Sequence, residues 1–287
     1  MSTAVCAMTL KGHQGSVLCL QYDDEYLVSG SSDCTIIIWD IKTGYKPLRK
    51  IAGHEDSVLN LRFDKKYIVS CSKDKTIKIW DTKTGEYIKT LYGHKAAVNA
   101  VQYRGDMVIS GSGGTNQSFF FLLYTYIPDR TIKIWSISSG NPIRTLTGHE
   151  RGIACIEYNG NLIASGSSDG TIRLWDARNG AQLLVIPAHS DLVRTLQFDN
   201  RMIISGSYDG SIRVWDMKGR MIMELREHAG RIFKVQFNAA KIVSCSQDQV
   251  PDQFLFDSLL IIVENQRLGL WLRDRYELFC LARLEYG

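Results

Sequence analysis

Six histidines recur along the chain, His13, His54, His94, His149, His189 and His228, and each precedes a serine and an aspartate in the same order. Taken singly, Ser165, His149 and Asp169 are the residue types of a hydrolase: a hydroxyl nucleophile, a base to accept its proton and a carboxylate to orient the base. A catalytic centre is built once, however, whereas this set returns at histidine spacings of 41, 40, 55, 40 and 39 residues. About twenty-six residues after most of the histidines comes a tryptophan: Trp39, Trp80, Trp135, Trp175 and Trp215. Repetition in every unit assigns these side chains to the scaffold and leaves no catalytic candidate.

The elements that must position them are short strands. In the fourth unit, Ile153 to Tyr158, Leu162 to Ser167 and Thr171 to Trp175 alternate like half-buried strands. Ser168-Asp169-Gly170 joins two of them through the Asp-Gly dipeptide that tight hairpins favour, and an outer strand from Gln182 to Ile186 follows Gly180. A period of about forty residues, with Gly-His near one end and Trp-Asp near the other, resembles the WD40 β-propeller blade. The expected fold is all-β: a propeller over residues 7–249 with six recognisable repeats, the last incomplete, and a non-WD tail over 250–287.

In WD proteins the loop histidine bonds the turn aspartate, and the chain of bonds continues through a strand serine to the indole. That resemblance implies the sets His13/Asp33/Ser29/Trp39, His54/Asp74/Ser70/Trp80, His94/Asp129/Ser110/Trp135, His149/Asp169/Ser165/Trp175 and His189/Asp209/Ser205/Trp215. The sixth has His228, Ser244 and Asp248 but no tryptophan in place.

Composition narrows the function. The net charge of +4 is mild, and its basic residues are spread over the repeats rather than clustered, which argues against nucleic acid. Seven cysteines form no CxxC pair; Cys19 and Cys155 share one strand column, and Cys71 and Cys245 another, so free thiols are expected, with no metal and no cofactor. The N-terminus has no apolar signal core, and the longest apolar run, Ser118 to Ile127, is well short of the ~20 residues that span a bilayer. A location in the cytoplasm or nucleus, off the membrane, is the expectation.

The repeat breaks twice. Removing Gly114 to Pro128 from the third unit restores its match to the fourth position for position, so these residues are an insert, either a translated short intron or an aromatic surface loop. After Gln249 the pattern stops. The tail could form an amphipathic helix from about Phe254 or be a second read-through, and the sixth unit is expected to lack its normal third and outer strands.

Function must come from a surface. Columns that differ from repeat to repeat mark it. Around the strand-starting Val or Ile these are Ser16, Leu18, Ser57, Leu59, Ala97, Asn99, Gly152, Ala154, Leu192, Arg194, Arg231 and Phe233. Before the turn aspartate they are Ser32, Lys73, Gly113, Ser168, Tyr208 and Gln247. In a WD propeller such columns ring the top mouth of the channel. Arginines among serine hydroxyls there suit a phosphorylated peptide, whose phosphate carries about −1.5 to −2 charge and accepts bidentate guanidinium bonds. A solvated basic rim without ligand fits the same composition.

The strings Gly15-Ser-Val-Leu-Cys-Leu-Gln-Tyr-Asp23, Val69-Ser-Cys-Ser-Lys-Asp74, Gly93-His-Lys-Ala-Ala-Val-Asn99, Arg151-Gly-Ile-Ala-Cys155, Leu192-Val-Arg194, Phe198-Asp-Asn200 and Glu227-His-Ala-Gly-Arg-Ile-Phe233 closely resemble, in order, the beta-transducin repeat-containing F-box proteins of the Slimb type. These are substrate receptors of an SCF ubiquitin ligase that bind a doubly phosphorylated Asp-Ser-Gly-x-x-Ser degron. The resemblance implies that Arg151, Gly152, Ser168 and Arg194 hold one phosphate and that Ser16 and Ser32 help hold the other. Leu59, Asn99, Ala154, Leu192, Tyr208, Arg231 and Phe233 would line the peptide path, and Arg130 adjoins the insert. The expected partners are phosphorylated protein substrates, with SCF components only if a missing F-box is supplied elsewhere. The family has seven repeats and this chain is expected to begin at its second, without the arginine of the first. A generic scaffold for complex assembly and a non-functional truncated product are the alternative readings.

Overall fold

The computed structural model describes residues 8–113, 129–238, 241–247 and 261–264. The chain divides into two compact units, one containing the first two repeats and the other running from Gly93 through the remaining four.

The first unit contains two four-stranded antiparallel sheets. One is β1 (Val17–Tyr22), β2 (Tyr26–Ser31), β3 (Thr35–Asp40) and β4 (Lys46–Ala52); the other is β5 (Val58–Phe63), β6 (Tyr67–Ser72), β7 (Ile77–Asp81) and β8 (Tyr87–Leu91). Consecutive buried residues, as in Val28–Ser31 and Ile36–Trp39, bury both faces of each middle strand, so sheet must pack on sheet. Val28, Ile36, Ile38 and Ile51 of the first sheet close on Val58, Leu61, Phe63, Ile68 and Trp80 of the second.

The second unit repeats the construction. Its sheets are β9 (Val98–Arg104), β10 (Met107–Ser112), β11 (Ile132–Ser136) and β12 (Pro142–Leu146); then β13 (Ile153–Tyr158), β14 (Leu162–Ser167), β15 (Thr171–Asp176) and β16 (Gln182–Pro187); then β17 (Val193–Phe198), β18 (Met202–Ser207), β19 (Ile212–Asp216) and β20 (Met221–Leu225). Each first strand carries a bulge near its start, and each outer strand carries one opposite the tryptophan.

The approach of one sheet to the next requires glycine at one register position. A Cβ on Gly111 would lie 2.6 Å from Ile153 Cγ2, on Gly166 2.7 Å from Val193 Cγ1, and on Gly206 2.6 Å from Ile232 Cγ2. The two cysteine columns are cross-strand neighbours at this same position: Cys19 faces Gly30 and Cys155 faces Gly166, whereas Cys71 faces Asn60 and Cys245 faces Lys234. No cysteine therefore faces another across its own sheet, and the five described thiols are free. Burial pushes Cys19 and Cys155 up to about 12, which removes thiolate reactivity near neutral pH.

The inserted residues 114–128 lie outside the described residues. Either side of them the repeat keeps its frame: Ser110 pairs with Lys133 as Ser165 pairs with Arg173. The sixth sheet differs from expectation. β21 (Ile232–Phe237) and β22 (Lys241–Ser246) are joined by β23 (Ile261–Glu264), which supplies a third strand from within the tail. Ile261–Glu264 is thus strand where the sequence suggested helix from Phe254; the β-branched Ile-Ile-Val run favours the pleated conformation. The rest of the tail lies outside the described residues.

Candidate functional site

The repeated polar set is one hydrogen-bonded chain in five sheets. In the fourth, Trp175 Nε1 donates to Ser165 Oγ at 2.9 Å, Ser165 Oγ lies 2.8 Å from His149 Nε2, and His149 Nδ1 lies 2.9 Å from Asp169 Oδ2. The indole can only donate and the carboxylate can only accept, so the proton order is set. The hydroxyl takes the indole hydrogen and gives its own to Nε2, and the neutral imidazole donates from Nδ1. The same geometry holds at Trp39, Trp80, Trp135 and Trp215. In the sixth sheet His228 Nε2 meets Ser244 Oγ at 2.8 Å; Asp248 lies outside the described residues.

Ser29, Ser70, Ser110, Ser165 and Ser205 are fully or almost fully buried, and each oxygen already accepts an indole N–H. Such a hydroxyl meets no substrate, so the triad-like set has a packing role instead. Among the described residues no group of three His, Cys, Asp or Glu side chains is placed to hold a metal.

A further column escaped the sequence reading. Thr35, Thr76, Thr131, Thr171 and Ser211 donate their hydroxyls to the same aspartates, and the backbone N–H after each histidine does so too. Its signal was available: a hydroxyl stands two residues after each of these aspartates. Glutamines add a second unforeseen bond between sheets. Gln21 grips both N–H and C=O of Phe63, Gln197 grips those of Phe237, and Gln102 donates to Ile156 O.

These bonds govern the response to acid. Burial holds the imidazoles of His13, His94 and His189 below their usual value, against the pull of their aspartates. Burial alone would raise the aspartates. The hydrogen bonds they accept outweigh it, placing Asp33, Asp74, Asp129 and Asp169 well below the usual carboxylate range and Asp209 at about 2. As pH falls through the ordinary histidine value of 6.5, the unfolded chain binds protons that the folded histidines refuse. Below the ordinary aspartate value of 3.8 it protonates carboxylates that the fold keeps ionised. Both differences act in one direction, so stability is fullest above about 6.5 and falls in two steps. Urea midpoints at pH 8, 6 and 5 should decrease in that order; a constant midpoint would mean that the histidines take up protons alike in the folded and unfolded chain.

The variable columns of the second unit form a polar and aromatic surface. Arg151 and Arg231 are exposed and Arg194 is half-buried on successive sheets. Among the described residues no carboxylate lies within ion-pair distance of any of the three. Burial raises the Cys155 and Cys245 thiols, and the charges of Arg194 and Lys234 offset part of that rise. Arg231 Cζ stands 5.1 Å from the centre of the Tyr208 ring, and that ring meets Phe233 edge-on at 5.9 Å. Such a stack holds an aromatic and a guanidinium in fixed places before any ligand arrives.

The backbone holds these side chains. Gly152 O accepts from Ser168 N at 2.9 Å, Leu192 O from Tyr208 N at 3.0 Å, and Arg231 O from Gln247 N at 3.0 Å. Gly113 and Gly152 are in backbone contact: a Cβ on Gly113 would lie 2.2 Å from Gly152 Cα. Ala154 is nearly buried, Leu192 and Ser168 are half-buried, and Arg130 is exposed beside Asp129. Asn99 is committed to the scaffold, since its Nδ2 donates to both Gly113 O and Ile153 O at 2.8 Å, leaving only its Oδ1 for a ligand. In the first unit Ser16, Ser32 and Leu59 are half-buried at the corresponding column positions, and Ser32 N donates to Ser16 O at 2.8 Å.

The family model described as "WD domain, G-beta repeat" matches residues 4–40, 45–81, 85–136, 140–176 and 180–216. The chain belongs to this family, whose domains are typically non-enzymatic scaffolds that bind protein partners. It is 32% identical over 169 residues to nuclear distribution protein PAC1 of Coccidioides posadasii, spanning 56% of this chain and 35% of that one. It is 26% identical over 142 residues to mitochondrial division protein 1 of Neurospora crassa, spanning 49% and 18%. A 40-residue stretch is 55% identical to the probable E3 ubiquitin ligase complex SCF subunit sconB of Arthroderma benhamiae, 14% of this chain and 6% of that protein. The chain thus spans about a third or less of these relatives. Among solved structures, the computationally designed Ika8 protein superposes with a TM-score of 0.70 at 31% identity, covering 84% of this chain and 71% of that one.

Proposed function

We propose that this WD domain reads a phosphoserine-containing peptide, as the substrate receptor of an SCF ubiquitin ligase does, and that the peptide's owner is thereby marked for degradation. The observation that carries the reading is the set Arg151, Arg194 and Arg231. These three guanidiniums have no carboxylate partner among the described residues and stand on successive sheets, with Arg231 over the Tyr208 ring of the Tyr208–Phe233 pair. A charged group left without a partner beside fixed aromatics suits an anionic peptide more than a fold-stabilising role. The ordered match of the variable strings to the Slimb-type receptors and the short similarity to an SCF subunit support it. Arg151, Gly152, Ser168 and Arg194 take one phosphate in this reading. Arg231, Tyr208, Phe233, Leu192 and Ala154 contact the peptide. Recruitment of a ligase would require an F-box, and this reading puts the work in the cytoplasm or nucleus.

Similarity to a nuclear distribution protein and a mitochondrial division protein favours a second reading, assembly of protein complexes without phosphate. Calorimetric titration with an Asp-Ser-Gly-x-x-Ser peptide separates them. The doubly phosphorylated peptide should bind at least tenfold tighter than the unmodified one, and Arg151→Ala or Arg194→Ala should each remove about tenfold. Equal binding of both peptides would leave the assembly reading in place.

A further inference from the structure

The first unit carries a second polar and aromatic surface, on the outer strands rather than the variable columns. A groove of about 490 Å3 runs along five consecutive residues of β4, Leu48 to Ala52, and is closed on its other side by Trp80, Thr84, Gly85 and Tyr87. Tyr87 is 56% exposed yet held on three sides. Its ring stands edge-on to Trp80 at 5.8 Å, Lys78 Nζ lies 5.6 Å from its centre, and its hydroxyl meets Thr90 Oγ1 at 2.9 Å. An exposed aromatic fixed in this way loses little freedom when a ligand covers it.

Comparison with the other repeats shows what is particular to this groove. At the positions of Arg49, Lys50 and Tyr87, the third and fourth sheets offer Arg144, Thr145 and Gln182, and the fourth and fifth offer Leu184, Val185 and Met221. The aliphatic residue at the bulge recurs in every described outer strand and so does not distinguish this groove; the two cations beside an aromatic occur together here alone among these positions. β4 carries Lys46, Arg49 and Lys50 and no acidic residue. Arg49 Nε donates to Lys83 O at 3.1 Å, and among the described residues no carboxylate pairs with its guanidinium. Lys50 Nζ is only loosely placed, 4.0 Å from Asp33 Oδ2. β4 is also an edge strand among the described residues, with one row of backbone N–H and C=O groups unpaired.

We propose that this groove binds an extended acidic segment of a partner protein, laid along the free edge of β4 with its carboxylates on Arg49 and Lys50 and an apolar residue against Tyr87. Lysine and proline on an edge strand repel indiscriminate strand pairing, and an acidic strand is the partner that this repulsion admits. The surface is independent of the phosphopeptide reading, and the two are tested apart.

The probe is a fluorescein-labelled ten-residue peptide of alternating glutamate and valine, titrated with the full chain at low salt and read by anisotropy. Peptides with lysine or serine in place of glutamate serve as controls. Glutamate-peptide binding should exceed both controls at least tenfold and weaken as salt is raised. Arg49→Glu should reduce it at least tenfold and Tyr87→Ala about fivefold, while Arg151→Ala leaves it unchanged. Both side chains are exposed, and a thermal melt of each variant checks that the fold persists. Equal binding of the serine and glutamate peptides would overturn the proposal. So would binding that survives Arg49→Glu and Tyr87→Ala, or binding that is lost with Arg151→Ala.

Discussion

Asp169→Ala is expected to cost the fourth repeat about 3–5 kcal/mol, the scale of removing one partner from a buried charged network. The carboxylate accepts from His149 Nδ1 at 2.9 Å, Glu150 N at 2.9 Å, Thr171 N at 2.9 Å and Thr171 Oγ1 at 2.6 Å. Alanine leaves all four donors without their acceptor. The loss propagates to His149, whose Nδ1 is left with only the Thr171 hydroxyl at 3.2 Å in place of the carboxylate. Asp169→Asn keeps the volume and one acceptor oxygen but turns an amide N–H toward a donor, so about half the cost should remain. Urea unfolding of both variants, followed by tryptophan emission, tests this. A loss below about 1 kcal/mol for alanine would mean that water already serves these donors.

Gly166→Leu should be comparably severe for a different reason. A Cβ at this position meets Cys155 Sγ and Val193 Cγ1 at 2.7 Å and Val193 Cβ at 3.0 Å, before any further leucine atom is placed. Two of these three contacts are with the neighbouring sheet, so that sheet must move outward and take its Leu196–Ile203–Trp215 cluster with it. Gly166→Ala should cost about 1–3 kcal/mol, and leucine more than that. Val193→Ala in the same chain should recover part of the alanine loss, although alone it is destabilising. Additive losses in the double variant would show that the interface does not transmit the overlap.

The strands of the fourth repeat were legible almost to the residue. Expectation and structure agree at Ile153–Tyr158 and Leu162–Ser167 and differ by one residue at β15 and β16. Alternation and turn chemistry are local, and forty-residue repetition presents the same local problem several times over. The polar network was legible because its members keep fixed offsets, although its threonine column passed unnoticed. Asn99 was placed in the variable columns, but the direction of its amide, into Gly113 and Ile153 of two sheets, depends on how close those sheets approach.

By itself, the sequence determined the repeat length, the strand positions, the His, Asp, Ser and Trp of the network and the columns in which the repeats differ. Each follows from periodicity within one unit. The tertiary structure alone decided the glycine contacts between sheets, the glutamine bonds across them and the stacking of Arg231, Tyr208 and Phe233. It also decided the groove beside β4 and the third strand supplied by Ile261–Glu264. All of these join residues from different units or distant segments, and their geometry is set by the distance at which packed sheets come to rest, which no single repeat encodes.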